Sequence, residues 1–313
     1  MRDSFTNSLV ELAIKDPAVL LLTGDHGYGL FDRFRAECPD QYINAGIAEQ
    51  NMVGVAAGLA RLGYRPFVYG LSAFVPIRVL EQIKLDVAHD NLPVVLIGDG
   101  AGFVYSFLGT SHQSTEDIAC TRSIPNLSVF SPCDRYEVSA CIDEMYHSAE
   151  SCYIRIGKCD LGDVHASPVT NIRGAKMVRS GDVDANLVFV ATGSMVTTAI
   201  RVANSKFPAA EVWSIPCLKP FDISTIKEIA SRTEAFIVVL EEHSVLGGLG
   251  SIITEVFAEV LGIRILSIGV RDRFSEFCGS YDYLLKEHGL DDSSVGQQIS
   301  DFLRRCKLAG EKC

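Results

Sequence analysis

The 313-residue sequence is poor in charge and has no run of basic residues. Only 21% of its residues are charged, and the formal net charge is −11. A surface for nucleic acid or an anionic membrane therefore has no electrostatic basis. No apolar run approaches the ~20 residues of a membrane span. Small molecules and other proteins remain as partners, and the low charge with 48% hydrophobic residues favours surface buried between subunits.

Metal and disulfide motifs are also missing. The ten cysteines include no CxxC pair and no cluster with histidine at ligand spacing. We therefore expect reduced cysteines that act as small apolar residues, and no metal site in this chain. The N-terminal stretch MRDSFTNSLVELAIKD lacks the basic start and apolar run of a signal peptide and predicts an amphipathic helix. Together these features indicate a cytoplasmic protein.

Short apolar runs that end in Gly, Pro, Asp or Asn alternate with stretches of helical length. This pattern predicts an α/β fold with a mostly parallel sheet covered on both faces. The predicted strands of the first part are 18–25, 41–46, 64–70, 92–100, 126–132 and 152–157, with helices over 46–62, 74–90 and 134–149.

The alternation stops in a segment rich in Gly, Asp and Pro and then resumes. We therefore predict two doubly wound domains, over 1–160 and 186–313, joined by a linker over 161–185. The second and smaller domain has predicted strands at 187–194, 210–216, 235–242 and 263–270.

The stretch NAGIAEQNMVGVAAGLA, residues 44–60, places Glu49 among residues of a buried helix. An acid in the first turn complements the helix dipole, which is worth ~0.3–1 kcal/mol and requires no catalysis. The loop GTSHQSTEDIA, residues 109–119, carries His112 just before a helix that starts at Thr115 to Asp117. Ligands of open α/β sheets bind at such strand ends, so Glu49 and His112 are candidate site residues.

These motifs occur in a recognisable order. GIAEQNMVGVAAGLARLGYRPFV, SAFVPIRVLEQIKLDVAHDNLPV, GTSHQSTEDIACTRSIPNLSVFSP, YIRIGK, LKPFD and EEHSVLGGLGS resemble the C-terminal part of transketolase and 1-deoxyxylulose-5-phosphate synthase. The resemblance covers nearly the whole chain and is especially close to split transketolases. It implies a pyrimidine-binding domain over 1–160 and the family's C-terminal domain over 186–313.

The resemblance assigns roles around thiamine diphosphate. Glu49 would hydrogen-bond a ring nitrogen of the aminopyrimidine and so promote loss of the thiazolium proton, and an apolar neighbourhood would favour a proton shared with that nitrogen. Phe74 would stack on the pyrimidine. Ile47 and Asp25 would complete the cofactor contacts, although a local turn role fits Asp25 equally well. His112 would stabilise the oxygen of the donor carbonyl.

Two arginines match family positions that bind substrate phosphate. Arg155, in YIRIGK, and Arg2, near the start, are these candidates. Other positions depart from the family. Leu108 replaces an acid that contacts a sugar hydroxyl, Gly100 replaces a phosphate-binding histidine, and Gly29 replaces a serine. The substrate is therefore expected to be unphosphorylated, to carry its phosphate elsewhere, or to be a modified or nucleotide-linked sugar.

The segment GDG, residues 98–100, is followed by Asn126 at about the spacing of the family's magnesium motif. The ordered resemblance places both in the pyrimidine-binding domain, which cannot face the cofactor from both sides. Diphosphate and Mg²⁺ would then be held by a separate N-terminal subunit in an α2β2 assembly, because this family builds its sites across a symmetric interface.

The implied function is transfer of a two-carbon ketol unit from a ketose to an aldehyde. Three alternatives remain open from the sequence. They are the β subunit of a 2-oxoacid dehydrogenase, half of a deoxyxylulose-phosphate synthase, and a scaffold that keeps the fold without chemistry.

Overall fold

The protein is seen in a computed structural model that describes residues 1–148, 150–158, 160–182, 186–231, 236–260 and 262–310. The strands are β1 (Val19–Thr23), β2 (Tyr42–Asn44), β3 (Arg65–Leu71), β4 (Val95–Asp99), β5 (Leu127–Phe130), β6 (Ser151–Ile156), β7 (Lys176–Arg179), β8 (Leu187–Ala191), β9 (Glu211–Ser214), β10 (Cys217–Lys219), β11 (Phe236–Ser244) and β12 (Arg264–Val270). The α-helices are α1 (Arg2–Lys15), α2 (Asp32–Glu37), α3 (Glu49–Arg61), α4 (Leu80–Gln82), α5 (Asp117–Arg122), α6 (Arg135–His147), α7 (Met195–Lys206), α8 (Ile223–Ser231), α9 (Leu249–Val256), α10 (Tyr281–Glu287) and α11 (Asp292–Gly310).

The first sheet has seven strands in the order β10-β5-β6-β4-β3-β1-β2. All six strands predicted for the first domain are present in it and run parallel. Their central residues are buried, as expected for a sheet with helices on both faces. The α/β prediction is confirmed.

The second sheet has five strands in the order β12-β11-β8-β9-β7. The four strands predicted here are parallel neighbours. The fifth, β7, pairs antiparallel with β9 at the edge. Because β7 lies inside 161–185, the prediction that this whole stretch is linker is wrong for these four residues.

A strand that the sequence does not predict, β10, connects the second part of the chain to the first sheet. After β9, the chain returns to the first sheet, where β10 pairs antiparallel with β5. The backbone N–H of Ser131, just beyond β5, donates to the carbonyl of Pro216 at 2.7 Å. The second domain therefore completes the edge of the first.

Helices α1, α3 and α6 match their predicted ranges closely. The predicted helix over 74–90 is instead irregular: a 3₁₀ turn at Ile77–Val79, the single turn α4, and a π segment at Ile83–Ala88. No helix in the described part of the chain is both long enough and apolar enough to cross a bilayer.

Candidate functional site

The turn after β2 places Glu49 at the first position of α3. Gly46 adopts a positive φ of 71°, a conformation that L side chains rarely take, and its N–H donates to Asn44 Oδ1 at 2.9 Å. This turn brings the Glu49 carboxyl beneath the protein surface, where the residue is only 3% exposed. A carboxylate at this helix end is favoured by the dipole.

The two carboxyl oxygens of Glu49 have different surroundings. Oε2 accepts a hydrogen bond from Arg78 Nη1 at 2.9 Å. Oε1 is buried and has no partner among the described residues. The sequence predicts a purely apolar neighbourhood, and the guanidinium of Arg78 is a departure from it. An unpaired buried oxygen is costly, so it marks a position where a donor is expected.

Phe74 packs against Arg78, the partner of Glu49, and His112 packs against Phe74. The guanidinium carbon of Arg78 lies 4.1 Å from the Phe74 ring centroid, within cation–π range. The Phe74 and His112 ring centroids are 5.3 Å apart in an edge-to-face arrangement. The structure therefore brings Glu49, Phe74 and His112 together in one row, although they are far apart in sequence.

Asp25 and Ile47 border the same turn. Asp25 is exposed with a positive φ of 62°, and Asn44 Nδ2 donates to its Oδ1 at 3.3 Å. This geometry explains Asp25 as a residue of the local turn. Ile47 is 77% exposed, and such an apolar side chain beside a buried acid is available to a ligand or a partner protein.

His26 is a neighbour of Glu49 that the sequence reasoning missed. Burial lowers its pKa, while the charge of Glu49 acts in the opposite direction. Its Nδ1 is buried and has no partner in the part of the chain that the structure describes. Its place directly after β1, at the carboxyl edge of the sheet, is a signal that could have identified it.

Arg155 does not lie at an accessible site. It is 3% exposed, and its Nε donates to Asp117 Oδ2 at 2.8 Å, while Nη2 donates to the carbonyls of Ser114 and Glu242. Tyr153 donates to the same Asp117 oxygen. A substrate phosphate cannot reach the guanidinium in this structure, so the prediction that Arg155 binds phosphate is not supported.

Arg2 is also engaged in an ion pair. Its Nε and Nη2 lie 2.9 and 2.8 Å from the two carboxyl oxygens of Asp99. Tyr69 and Tyr105 donate to Asp99 Oδ2 as well. Arg2 therefore stabilises a buried carboxylate, and phosphate would have to displace that partner.

The strand register decides whether Asp99, in the GDG segment, and Asn126 can hold one metal ion. Asp99 aligns with Ile156 of β6, whereas Leu127, which follows Asn126, aligns with Ser151. These positions are five residues apart along β6, or roughly 16 Å at the usual strand rise. Asp99 and Asn126 therefore lie at opposite ends of the sheet and cannot coordinate one ion.

Glu241, Glu242 and His243, at the end of β11, hold the second domain against the loop that carries His112. Glu242 Oε1 accepts from the N–H of Phe103 at 2.7 Å, and His243 Nε2 accepts from that of Ala119 at 3.3 Å. Glu241 accepts from two N–H groups at the start of α9. These contacts give the cluster a structural role.

Burial determines the protonation of this cluster. It lowers the pKa of His243 to about 4 and raises that of Glu241 to about 7. Neutral His243 can present an unprotonated Nε2 to Ala119 while Nδ1, 2.8 Å from the Ser244 carbonyl, carries the proton. The loop that positions His112 is therefore fixed by a neutral imidazole.

The chain matches two family models in order. Residues 1–163 match the transketolase pyrimidine-binding domain, and residues 175–295 match the transketolase C-terminal domain. The chain belongs to the transketolase family. The matched order is that of a transketolase C-terminal section, as the motifs indicate.

The chain is similar to three proteins that belong to split transketolases. The chain is 32% identical to one of the subunits of the apulose-4-phosphate transketolase of Phocaeicola vulgatus, covering 97% of each chain. It is 34% identical to a 6-deoxy-6-sulfo-D-fructose transketolase subunit of a Clostridium species, covering 97% of this chain and 95% of the other. A solved split-gene transketolase, an inactive β4 tetramer, is 32% identical with a TM-score of 0.87, covering 97% of this chain and 98% of that chain.

The protein is therefore a subunit of a transketolase-type transferase, and transketolases depend on thiamine diphosphate. The residues present fit part of that cofactor. Glu49 Oε1, which has no partner among the described residues, can share a proton with a ring nitrogen, and Phe74 offers a half-buried aromatic ring. Asp99, in contrast, is already neutralised by Arg2 and offers little to a metal ion.

Proposed function

We propose that this chain, together with a separate diphosphate-binding subunit, transfers a two-carbon ketol unit from a ketose donor to an aldehyde acceptor. The observation that carries the proposal is the row formed by Glu49, Phe74 and His112, with one buried carboxyl oxygen unpaired among the described residues. A chain that kept only the fold would have no need to leave a buried acceptor without a partner.

Glu49, Phe74 and Ile47 are the residues that we propose hold the pyrimidine ring of thiamine diphosphate. Glu49 Oε1 would exchange a proton with the ring, while Arg78 fixes the other oxygen and so limits rotation of the carboxyl. When bound, the cofactor would supply a carbon nucleophile for the ketose carbonyl. Mg²⁺ and the diphosphate are assigned to the partner, since Asp99 is already paired.

His112 is the residue that we propose faces the substrate. Its Nδ1 lies 3.0 Å from the hydroxyl of Ser111, and its ring packs edge-to-face with Phe74. A hydrogen-bond donor on the His112 ring would face the substrate oxygen on which negative charge develops during the reaction. Its loop, fixed by Glu242 and His243, gives the imidazole a defined position.

The donor or acceptor is proposed to be a modified sugar. The two split relatives are named for apulose-4-phosphate and 6-deoxy-6-sulfo-D-fructose, both of which are modified sugars. In this chain Phe107 and Leu108, on the loop before His112, are 73% and 55% exposed. They offer apolar contacts in place of a hydroxyl-binding acid, while Arg155 and Arg2 are engaged elsewhere.

The proposed assembly is α2β2. The solved split-gene relative is an inactive β4 tetramer, which supports a requirement for a second kind of subunit. On the turns after β1 and β2 this chain exposes Tyr28, at 82%, and Ile47, and exposed apolar side chains of this kind are typical of an interface.

The test is reconstitution. The chain is purified alone and with its diphosphate-binding partner, and each sample is titrated with thiamine diphosphate and Mg²⁺. Ketol transfer from a panel of plain, phosphorylated and modified ketoses should be seen only with the complex. Release of CO₂ from 2-oxoacids, or condensation of pyruvate with an aldehyde phosphate, would contradict the proposed reaction. Tight cofactor binding by the chain alone would contradict the division of the site.

A further inference from the structure

A second group of chemically reactive side chains lies far from Glu49. Cys133 and Glu137 stand just before and within the first turn of α6, and His165 comes from the segment that follows β6. The Cys133 sulfur, a carboxyl oxygen of Glu137 and a ring nitrogen of His165 all lie within 4.8 Å of one another. β5 and β2 are five strand spacings apart in the first sheet, so this group and Glu49 are roughly 20–25 Å apart.

Asp134 orients His165 within this group. Its Oδ2 lies 3.0 Å from His165 Nδ1 and also accepts the backbone N–H groups of Val164 and His165. A proton on Nδ1 is thereby fixed toward Asp134, which leaves the lone pair of Nε2 directed into the group. A carboxylate that holds the remote nitrogen of a histidine is the usual support of a metal-binding imidazole.

The side-chain atoms of Cys133, Glu137 and His165 that face one another are all hydrogen-bond acceptors or weak donors. Glu137 Oε2 accepts from the N–H of Cys133 at 2.7 Å, but Oε1 has no hydrogen bond among the described residues. His165 Nε2, 3.7 Å from Oε1, is likewise unpaired there. Glu137 is fully buried, and its unpaired oxygen points toward the histidine. Such an arrangement is satisfied by one shared cation.

The donor set determines which cation fits. One thiolate, one imidazole and one carboxylate form a mixed S, N and O set, which suits zinc and does not suit Mg²⁺ or Ca²⁺. We propose that Cys133, Glu137 and His165 form a zinc site, with water in the fourth position. Binding transfers the thiol proton of Cys133 to solvent as the sulfur–zinc bond forms.

Distances permit this site with small side-chain movements. Zinc bonds of about 2.0–2.3 Å bring tetrahedral ligand atoms to about 3.3–3.8 Å from one another. The 3.7 Å separation of Glu137 Oε1 and His165 Nε2 already has this value, and only the thiol needs to approach. Cys133 and Glu137 are buried, and His165, at 13% side-chain exposure, gives the ion access from solvent.

The expected role is structural, because the group lies where three parts of the chain meet. Glu137 belongs to the first domain and His165 to the connection between the domains, while Ser214, at the end of β9 in the second domain, lies beside Cys133. Zinc would fix the connecting segment against α6. The sequence does not reveal this site, since its ligands are 4 and 28 residues apart and fit no compact motif.

The test uses the full chain, stripped with a chelator, dialysed, and given ZnCl₂ or CoCl₂ alone. We expect one equivalent of zinc by elemental analysis, and a thiolate-to-cobalt charge-transfer band with Co²⁺. Cys133→Ser should abolish that band, and His165→Gln should weaken zinc binding at least tenfold. Matched controls are Cys38→Ser, a buried cysteine elsewhere, and His147→Gln, an exposed histidine at the end of α6.

Asp134→Asn separates ligand support from helix capping. Asparagine still caps α6 but removes the charge that holds His165, so zinc affinity should fall about 10–100-fold while circular dichroism is unchanged. If Cys133→Ser does not fold, the partly exposed His165→Gln decides the question. Less than stoichiometric zinc in the wild type, or equal zinc retention by His165→Gln and His147→Gln, would overturn the proposal.

Discussion

Arg78 Nη1 lies 2.9 Å from Glu49 Oε2, while Oε1 of the same carboxyl is buried and unpaired among the described residues. The pair connects the irregular segment after β3 with the first turn of α3. One oxygen is held in place and the other remains free to accept or share a proton. Glu49 thus has a fixed orientation before any cofactor is bound.

Glu49→Gln should abolish most of the activity without affecting the fold. The amide has the same shape but cannot carry a shared proton, so donor turnover by the complex should fall about 10²–10⁴-fold. The melting temperature should change little. Glu259→Gln, an exposed acid shortly after α9, is the matched control. Normal turnover by Glu49→Gln would remove this residue from the cofactor site.

His112→Asn should lower kcat and leave the affinity for thiamine diphosphate unchanged. Loss of one hydrogen bond to a developing negative charge typically costs about 10²–10³-fold in kcat. Isothermal titration with the cofactor and steady-state kinetics on the same complex measure the two quantities. The exposed His147→Gln serves as control. Unchanged kcat with weaker cofactor binding would instead mean that His112 only packs on Phe74.

Arg155→Met tests the buried ion pair with Asp117. Removing one partner of such a pair leaves an uncompensated buried charge, which costs about 3–5 kcal/mol in the free energy of unfolding. The loss should appear in denaturant melts. The double variant Arg155→Met, Asp117→Leu removes both charges and should recover part of that loss. Unchanged stability with a raised KM for phosphorylated sugars alone would show that Arg155 binds phosphate.

His243→Gln should reveal a dependence of stability on pH. Burial lowers the pKa of His243 to about 4, against 6.5 for an unperturbed histidine, so the unfolded chain binds the extra proton between these values. The contribution of His243 is thus complete above pH 6.5 and is lost as the pH falls toward 4. At most this amounts to roughly 3 kcal/mol.

The quantity to measure is the difference in free energy of unfolding between wild type and His243→Gln. It should shrink as the pH falls, whereas His147→Gln should show no such trend. Taking this difference matters because Glu241 acts in the opposite direction. Its pKa is raised to about 7, so its contribution declines as the pH rises from 4.5 to 7. A constant difference would show that folding does not lower the pKa of His243.

The sequence predicts most of the fold because buried parallel strands are continuous apolar runs. It misses β7 and β10, which are four and three residues long and antiparallel at sheet edges. So short a strand has no periodicity to detect, and its existence depends on a neighbour far away in sequence. The irregular backbone over 77–88 is missed because its composition is that of an ordinary helix.

The residues of the candidate site were also only partly predictable from the sequence. Glu49 and His112 stand out because a polar residue interrupts an apolar helix or sits on a loop at a strand end. Arg78 could not be assigned to Glu49, since a contact across 29 residues depends on tertiary structure. Arg155 was assigned to phosphate through the resemblance alone, without regard to its surroundings. Its position inside a strand buried along its whole length was the signal against a phosphate role.

The pairing of β10 with β5 in the first sheet has a practical consequence for protein engineering. A fragment of residues 1–160 would retain every strand of the first sheet except its last, so β5 would present an uncovered hydrogen-bonding edge. Exposed edges of this kind template aggregation. A soluble, minimal cofactor-binding piece would therefore need residues 217–219 grafted back, or charged residues placed along Leu127–Phe130.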